Sequence, residues 1–205
     1  MTKILIGVLL ASGSAALIGA SNDWSIVASK LALATVFVES DEGTCTGFVI
    51  NSAARKGETD FILTAAHCDG PHMFADHVPA RVVFKDTKKD LLVLEVENLE
   101  RPALRLAKDD PKVGDQVASY GYGMGLERPM FRTASISDTA TYIPEAGIGG
   151  PFIQTDAQFI GGQSGGPVVN LTGEVVLIVQ RGGSGLGIGV GANIIRVSVA
   201  RFFEK

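Results

Sequence analysis

The sequence has few cysteine, histidine and tryptophan residues: its 205 positions include 2 Cys, 3 His and 1 Trp. So few cysteines exclude a small domain held together by several disulfides. Its 18 basic residues are scattered among 22 acidic ones, which leaves a net charge of −4 and no basic stripe that could follow a phosphate backbone. We therefore expect no nucleic-acid partner. A hydrophobic content of 46% predicts a globular protein with a buried core.

Long apolar runs are also missing. The first twenty residues contain Lys3, an apolar run over residues 4–10, and a stretch of small residues that ends at Ala20. This order is typical of a secretory signal, and the run is shorter than the roughly 20 residues that span a bilayer. We predict a signal peptide over residues 1–20, cleaved after Ala20 or Ala15, rather than an uncleaved anchor. The mature chain, 21–205, is then secreted or periplasmic, with no stable membrane anchor.

The two cysteines are Cys45 and Cys68. Because disulfides persist in exported proteins, we predict that they form a pair. The alternative is a zinc site that also includes His67 and His72, but the sequence lacks the paired cysteine and histidine blocks of structural zinc sites. We expect no metal and no cofactor.

Beyond the signal region, short apolar or alternating runs are separated by turn residues, which is typical of β-strands. The predicted strands are residues 32–38, 46–50, 61–64, 80–85, 91–96, 116–120, 129–137, 151–155, 167–170, 174–180 and 188–192. Helical periodicity appears over residues 195–204, which predicts a short C-terminal helix. The fold class is all-β, but periodicity does not distinguish a sandwich from a barrel.

Ser164 lies in the glycine-rich segment Gly161 to Pro167. Glycines leave space around a serine hydroxyl and allow backbone N–H groups to point at a developing oxyanion, although a simple flexible turn has the same composition. The segment also fits the nucleophile elbow of α/β-hydrolases, whose histidine follows the serine in the chain. No histidine or aspartate follows Ser164, so that triad is excluded.

The order His67, Asp90, Ser164 is instead that of chymotrypsin. His67 ends an apolar segment, and Asp90 begins another, so each is expected at the edge of a core. Taken singly, each has an ordinary structural explanation, and Asp76 or Asp86 would replace Asp90 if the strand placement were different.

Four blocks in this order resemble the trypsin-like serine peptidases, and most of all the bacterial HtrA branch. The blocks are residues 45–50, 64–68, 90–96 and 153–170. The resemblance implies two six-stranded antiparallel β-barrels, at about residues 30–105 and 115–195, followed by a helix at about 195–204. Within this protease domain it implies His67, Asp90 and Ser164 as the catalytic residues.

The resemblance also implies further roles. The backbone N–H groups of Gly162 and Ser164 would form the oxyanion hole, and Cys45 would bridge to Cys68 beside the histidine. Residues implied to bind substrate, either in the side-chain pocket or along an edge strand, are Gln158, Val179, Gln180, Arg181 and Gly182.

The sequence departs from the family in two informative places. Gln163 stands where zymogens carry an aspartate, so we expect no activation by a new amino terminus, and neutral Gln158 argues against cleavage after Lys or Arg. No PDZ region is recognisable, so we expect a protease domain alone.

We predict a serine endopeptidase that acts on proteins or peptides through an acyl-enzyme. The alternatives are a catalytically silent binding module and an esterase that uses the same triad; the sequence predicts no oligomeric state.

Overall fold

A computed structural model describes residues 23–51, 59–142, 150–183 and 185–203. The predicted signal sequence, residues 1–20, lies outside the described residues. No helix among the described residues is long and apolar enough to cross a membrane.

The described elements are mostly strands. In chain order they are α1 Trp24–Ala34, β1 Thr35–Ser40, β2 Gly43–Asn51, β3 Thr59–Thr64, a 3₁₀ turn Ala66–Cys68, β4 Phe74–Ala75, β5 Val78–Asp86, β6 Leu91–Glu97, β7 Gln116–Tyr122, β8 Pro129–Thr141, β9 Phe152–Thr155, β10 Pro167–Val169, β11 Val175–Gly183, β12 Leu186–Gly191 and α2 Ala192–Phe203.

The strands close into two antiparallel barrels. The first has the order β1-β2-β3-β6-β5-β4 and the second β10-β11-β12-β9-β8-β7. Closure gives each strand a neighbour on both sides and so limits the exposed sheet edges that would promote aggregation. The predicted fold, two six-stranded barrels and a C-terminal helix, is confirmed.

The first helix, α1, was not predicted. We expected a strand from Ala32, but the helix extends to Ala34 and the strand begins at Thr35. Asp23 caps the helix by accepting a hydrogen bond from the Ser25 N–H at 2.9 Å. Val27, Leu31 and Ala34 share one buried face. The prediction was wrong because apolar residues continue from the end of the helix into the strand. The change from helical to strand periodicity of the hydrophobic residues is therefore not visible in the sequence.

The C-terminal helix α2 begins at Ala192, three residues before the predicted start at Ile195. Its residue Phe202 lies against two rings of the first barrel, with centroid distances of 5.4 Å to Phe61 and 6.1 Å to Phe84. Because α2 follows the last strand of the second barrel, this contact joins the end of the chain to the first barrel.

Candidate active site

His67 and Asp90 meet at the edge of the first barrel. The 3₁₀ turn after β3 carries His67, and Asp90 directly precedes β6. His67 Nδ1 lies 2.7 Å from Asp90 Oδ2, and the His67 backbone N–H donates to Asp90 Oδ1 at 2.8 Å. Asp90 is 2% exposed, whereas the His67 side chain is 41% exposed. Both carboxylate oxygens thus hold one residue, which fixes the ring and leaves Nε2 without a partner among the described residues.

The two alternative aspartates have other partners. Asp76 accepts a hydrogen bond from the Phe37 N–H and forms an ion pair with Arg101. Asp86 accepts from the backbone N–H groups of Lys88 and Lys89, each at 3.0 Å. Asp90 is therefore the aspartate that the structure brings to His67.

Cys45 and Cys68 form a disulfide with a Cα–Cα distance of 6.2 Å. It ties β2 to the turn that carries His67. Cys45, His67 and Cys68 place their ligand atoms within 4.8 Å of one another, but the two sulfurs are bonded to each other. Because a metal binds thiolates, this set does not fit a metal in the oxidised protein.

Ser164 comes from the second barrel, in the loop before β10. Its carbonyl oxygen accepts the Thr46 N–H of β2 at 2.9 Å, and it lies 4.0 Å from Cys68 Sγ. The structure thus brings Ser164 close to the turn that carries His67. The Ser164 hydroxyl donates to the Gln180 carbonyl oxygen at 3.2 Å, and among the described residues no hydrogen bond joins it to His67. Catalytic hydrogen bonds often form only once substrate is bound.

Glycines shape the loop around Ser164. Gly162 has φ +95° and Gly165 has φ +81°, a region that side chains rarely adopt. A Cβ on Gly165 would collide with Thr64 Oγ1 and the Thr46 carbonyl oxygen. The N–H groups of Gly162 and Ser164 have no acceptor among the described residues. Both therefore remain available to a ligand oxygen.

Thr46 joins the loop that carries Ser164 to the first barrel, a contact that the sequence did not reveal. Its buried hydroxyl donates to the Gly162 carbonyl oxygen at 2.8 Å and accepts the Tyr122 N–H at 2.9 Å. Burial and the neighbouring Asp76 raise the pKa of the Tyr122 phenol. A threonine directly before the apolar residues 47–50 of β2 was the available signal, because a buried hydroxyl needs partners.

The predicted pocket residues do not all occupy the same environment. Val179 and Gln180 are buried in β11, whereas Arg181 and Gly182 are exposed farther along that strand. Gln158 is exposed, and its carbonyl oxygen accepts a hydrogen bond from Arg132 at 2.8 Å.

Phe159, which the sequence analysis did not single out, is the buried neighbour of Gln158. A Cβ on Gly187 would collide with the Phe159 ring, and one on Gly182 would collide with its main chain. Glycines inside strands signal such close approaches. The ring therefore occupies space beside β11 and β12, near the predicted pocket.

Residues 45–176 match the family profile described as "Trypsin-like peptidase domain". The chain belongs to the trypsin-like peptidase family. The predicted resemblance to the trypsin-like serine peptidases is confirmed.

Two curated relatives of this trypsin-like peptidase carry the name "Probable periplasmic serine endoprotease DegP-like". The protein from Halomonas elongata is 33% identical over 164 residues, 78% of this chain and 32% of the relative. The protein from Hahella chejuensis is 40% identical over 160 residues, 72% of this chain and 32% of the relative. The chain thus spans about a third of the length of these relatives. Their names agree with the predicted enzyme class, and they confirm the predicted resemblance to the bacterial HtrA branch.

Two solved structures share the fold. The serine endoprotease from Yersinia pestis is 24% identical, with a TM-score of 0.70 over 88% of this chain and 66% of the other. An inactive mutant form of a protein from M. tuberculosis H37Rv is also 24% identical, with a TM-score of 0.71 over 86% of this chain and 89% of the other. At this identity both matches establish the architecture of the trypsin-like peptidase alone.

Proposed function

We propose that this chain is a serine endopeptidase in which Ser164 is the nucleophile, His67 the general base and Asp90 the residue that orients the base. The observation that carries the proposal is the buried Asp90 carboxylate, which holds His67 Nδ1 at 2.7 Å on the turn that Ser164 approaches through its 4.0 Å contact with Cys68. A histidine held in this way accepts a proton at Nε2.

The reaction begins when the Ser164 hydroxyl leaves the Gln180 carbonyl and turns towards His67. Nε2 takes the hydroxyl proton while Oγ attacks the peptide carbonyl carbon, and the N–H groups of Gly162 and Ser164 stabilise the resulting oxyanion. The imidazolium then protonates the leaving amine, and the C–N bond breaks to leave an acyl-enzyme. Water, deprotonated by His67, releases the acid and restores Ser164.

Substrate main chain would pair with β11. β10 pairs with β11 only as far as Ile178, which lies opposite Pro167. Beyond that pair, no strand among the described residues lies on this side of residues 180–183. An extended peptide fits this edge by strand addition, along Gln180, Arg181 and Gly182. A substrate N–H that donates to the Gln180 carbonyl oxygen would displace the Ser164 hydroxyl and release it for attack.

The pocket for the substrate side chain would be small and uncharged. Val179 and neutral Gln158 are predicted to line it, and the Phe159 ring against Gly187 reduces its depth. We therefore expect cleavage after small or medium apolar residues of proteins or peptides, with no cofactor. The periplasmic naming of the relatives and the Cys45–Cys68 disulfide support a secreted or periplasmic enzyme that acts after removal of residues 1–20.

Ser164→Ala tests the proposal, with Ser137→Ala as the matched control because Ser137 is exposed on β8. Casein hydrolysis should fall by about 10⁴-fold or more in Ser164→Ala and stay at the wild-type rate in Ser137→Ala. A fluorophosphonate probe should label the wild type and the control but not Ser164→Ala. Undiminished hydrolysis by Ser164→Ala would exclude Ser164 as the nucleophile.

The same assays distinguish the two alternatives. A silent binding module would neither label nor hydrolyse. An esterase would label and hydrolyse short-chain esters, but it would leave peptides intact. Either result would contradict the endopeptidase proposal.

A further inference from the structure

Gln180 occupies an irregular position in β11. Val179 pairs with Gly189 of β12 and Arg181 pairs with Ile188, so Gln180 is the extra residue of a β-bulge between two consecutive partners. A bulge redirects a side chain relative to regular pleating. The Gln180 side chain enters the junction of the two barrels, where the residue is 1% exposed.

The Gln180 amide contacts the turn that ends at Asp90. Nε2 donates to the Asp90 carbonyl oxygen at 2.8 Å and to the Lys89 carbonyl oxygen at 3.2 Å. Asp90 has φ +53°, in the left-handed region that is unfavourable for a residue with a side chain. Such a conformation persists only where the surroundings hold it, and two hydrogen bonds from the second barrel hold this one.

Packing alone does not account for an amide at this position. Gln180 Oε1 is buried and has no hydrogen-bond partner among the described residues. A buried acceptor without a partner is destabilising, and an apolar side chain of similar length would avoid that loss. The value of the amide therefore lies in the two bonds that Nε2 donates.

We propose that the Gln180 side chain is a positioning residue that holds the Asp90 peptide so that both carboxylate oxygens stay on His67. This role is separate from the pairing of the Gln180 main chain with substrate. It rests on the proposed function, because the two hydrogen bonds from Gln180 Nε2 would keep His67, the proposed general base, in position. The Gln180 carbonyl accepts the Ser164 hydroxyl at 3.2 Å, so one residue contacts both the acid and the nucleophile.

Gln180→Met tests the proposal, because methionine keeps the length of the side chain and removes both donated bonds. We expect kcat for a peptide substrate to fall about tenfold, equivalent to about 1.4 kcal/mol, with little change in KM. The downfield proton resonance of the His67 Nδ1–H hydrogen bond should weaken or shift. Gln116→Met, at an exposed position of β7, is the matched control and should leave kcat, KM and the resonance unchanged.

A folded Gln180→Met protein with unchanged kcat and an unchanged resonance would overturn the proposal. So would a lower rate that only reflects less folded protein, as judged by thermal unfolding, while the resonance stays the same. The resonance can be measured without turnover, so it tests the positioning role of Gln180 even if the wild type hydrolyses no peptide. Absence of hydrolysis by the wild type would contradict the endopeptidase proposal but not the positioning role.

Gln180→Asn is the second variant, used if Gln180→Met does not fold. Its amide is one methylene too short to reach both carbonyl oxygens, so the resonance should again weaken or shift. An unchanged resonance in this variant would also overturn the proposal.

Discussion

The two barrels differ in how far their proposed catalytic side chains are already bonded to one another. In the first barrel, His67 and Asp90 are already joined, with 2.7 Å between Nδ1 and Oδ2. In the second barrel, the Ser164 hydroxyl donates to Gln180 of the same barrel at 3.2 Å. The position of His67 therefore results from the folding of one barrel, supported by the second. The Ser164 hydroxyl would have to rotate away from Gln180 to act as the proposed nucleophile.

Hydrogen bonds across the junction run in both directions. Thr46 of the first barrel donates to the Gly162 carbonyl oxygen, in the loop that carries Ser164. Gln180 of the second barrel donates to the Asp90 carbonyl oxygen, in the turn before β6. Each barrel thus supports a segment of the other that carries a proposed catalytic residue, and the difference between the barrels can be tested one contact at a time.

The largest effect is expected from Asp90→Asn, which disrupts the pair in the first barrel. The amide replaces an acceptor with a donor facing His67, so kcat should fall about 10⁴-fold while the fold is kept. Kinetics on a peptide substrate and thermal unfolding measure the two effects. Asp138→Asn is the control in the second barrel, where Asp138 accepts from the backbone N–H groups of its neighbours Thr139 and Ala140. A loss of less than about tenfold in Asp90→Asn would contradict the assigned role of Asp90.

An intermediate effect, on stability, is expected where the two barrels meet. Thr46→Val keeps the shape of the side chain but leaves the Gly162 carbonyl and the Tyr122 N–H without their partner. The free energy of unfolding should fall by about 1–3 kcal/mol, measured by chemical denaturation.

Thr35→Val is the matched control for Thr46→Val. Thr35 is also fully buried, but its hydroxyl has no partner among the described residues. Its replacement should be neutral or stabilising because no hydrogen bond is lost. Equal destabilisation by the two variants would show that the hydrogen bonds of Thr46 between the barrels do not stabilise the protein.

The smallest effect is expected in the turn between β10 and β11 of the second barrel. Hydrogen bonds from Asn170 and Thr172 to Glu174, together with the nearby charge of Arg105, lower the pKa of Glu174 below its ordinary 4.5. The ionised form therefore contributes stability above that value, and the contribution is lost as the pH falls through the lower pKa of the folded state.

Glu174→Gln should accordingly lower Tm slightly at neutral pH, and the difference from the wild type should disappear in acid. Thr172→Val, which removes one donor to Glu174, should make the pH dependence smaller. A Tm difference between Glu174→Gln and the wild type that stays constant with pH would contradict this account.

The sequence predicted the class of fold and several contacts, and it missed others for identifiable reasons. The blocks around Cys45, His67 and Ser164 resemble those of trypsin-like serine peptidases, and this resemblance made the two barrels and the disulfide predictable. The helix α1 was missed because its apolar face runs directly into β1. Phe159 was missed because only the approach of two distant strands reveals why Gly182 and Gly187 lack side chains.

The sequence by itself determined the all-β class, the order His67, Asp90, Ser164 and the exclusion of an α/β-hydrolase triad, because composition, periodicity and chain order are one-dimensional properties. Only the tertiary structure decided which aspartate meets His67, where the Ser164 hydroxyl points and what the Gln180 side chain holds. Asp90 and Gln180 are ninety positions apart in the chain. Their contact exists because two closed barrels pack against each other and a bulge in β11 turns one amide across the junction.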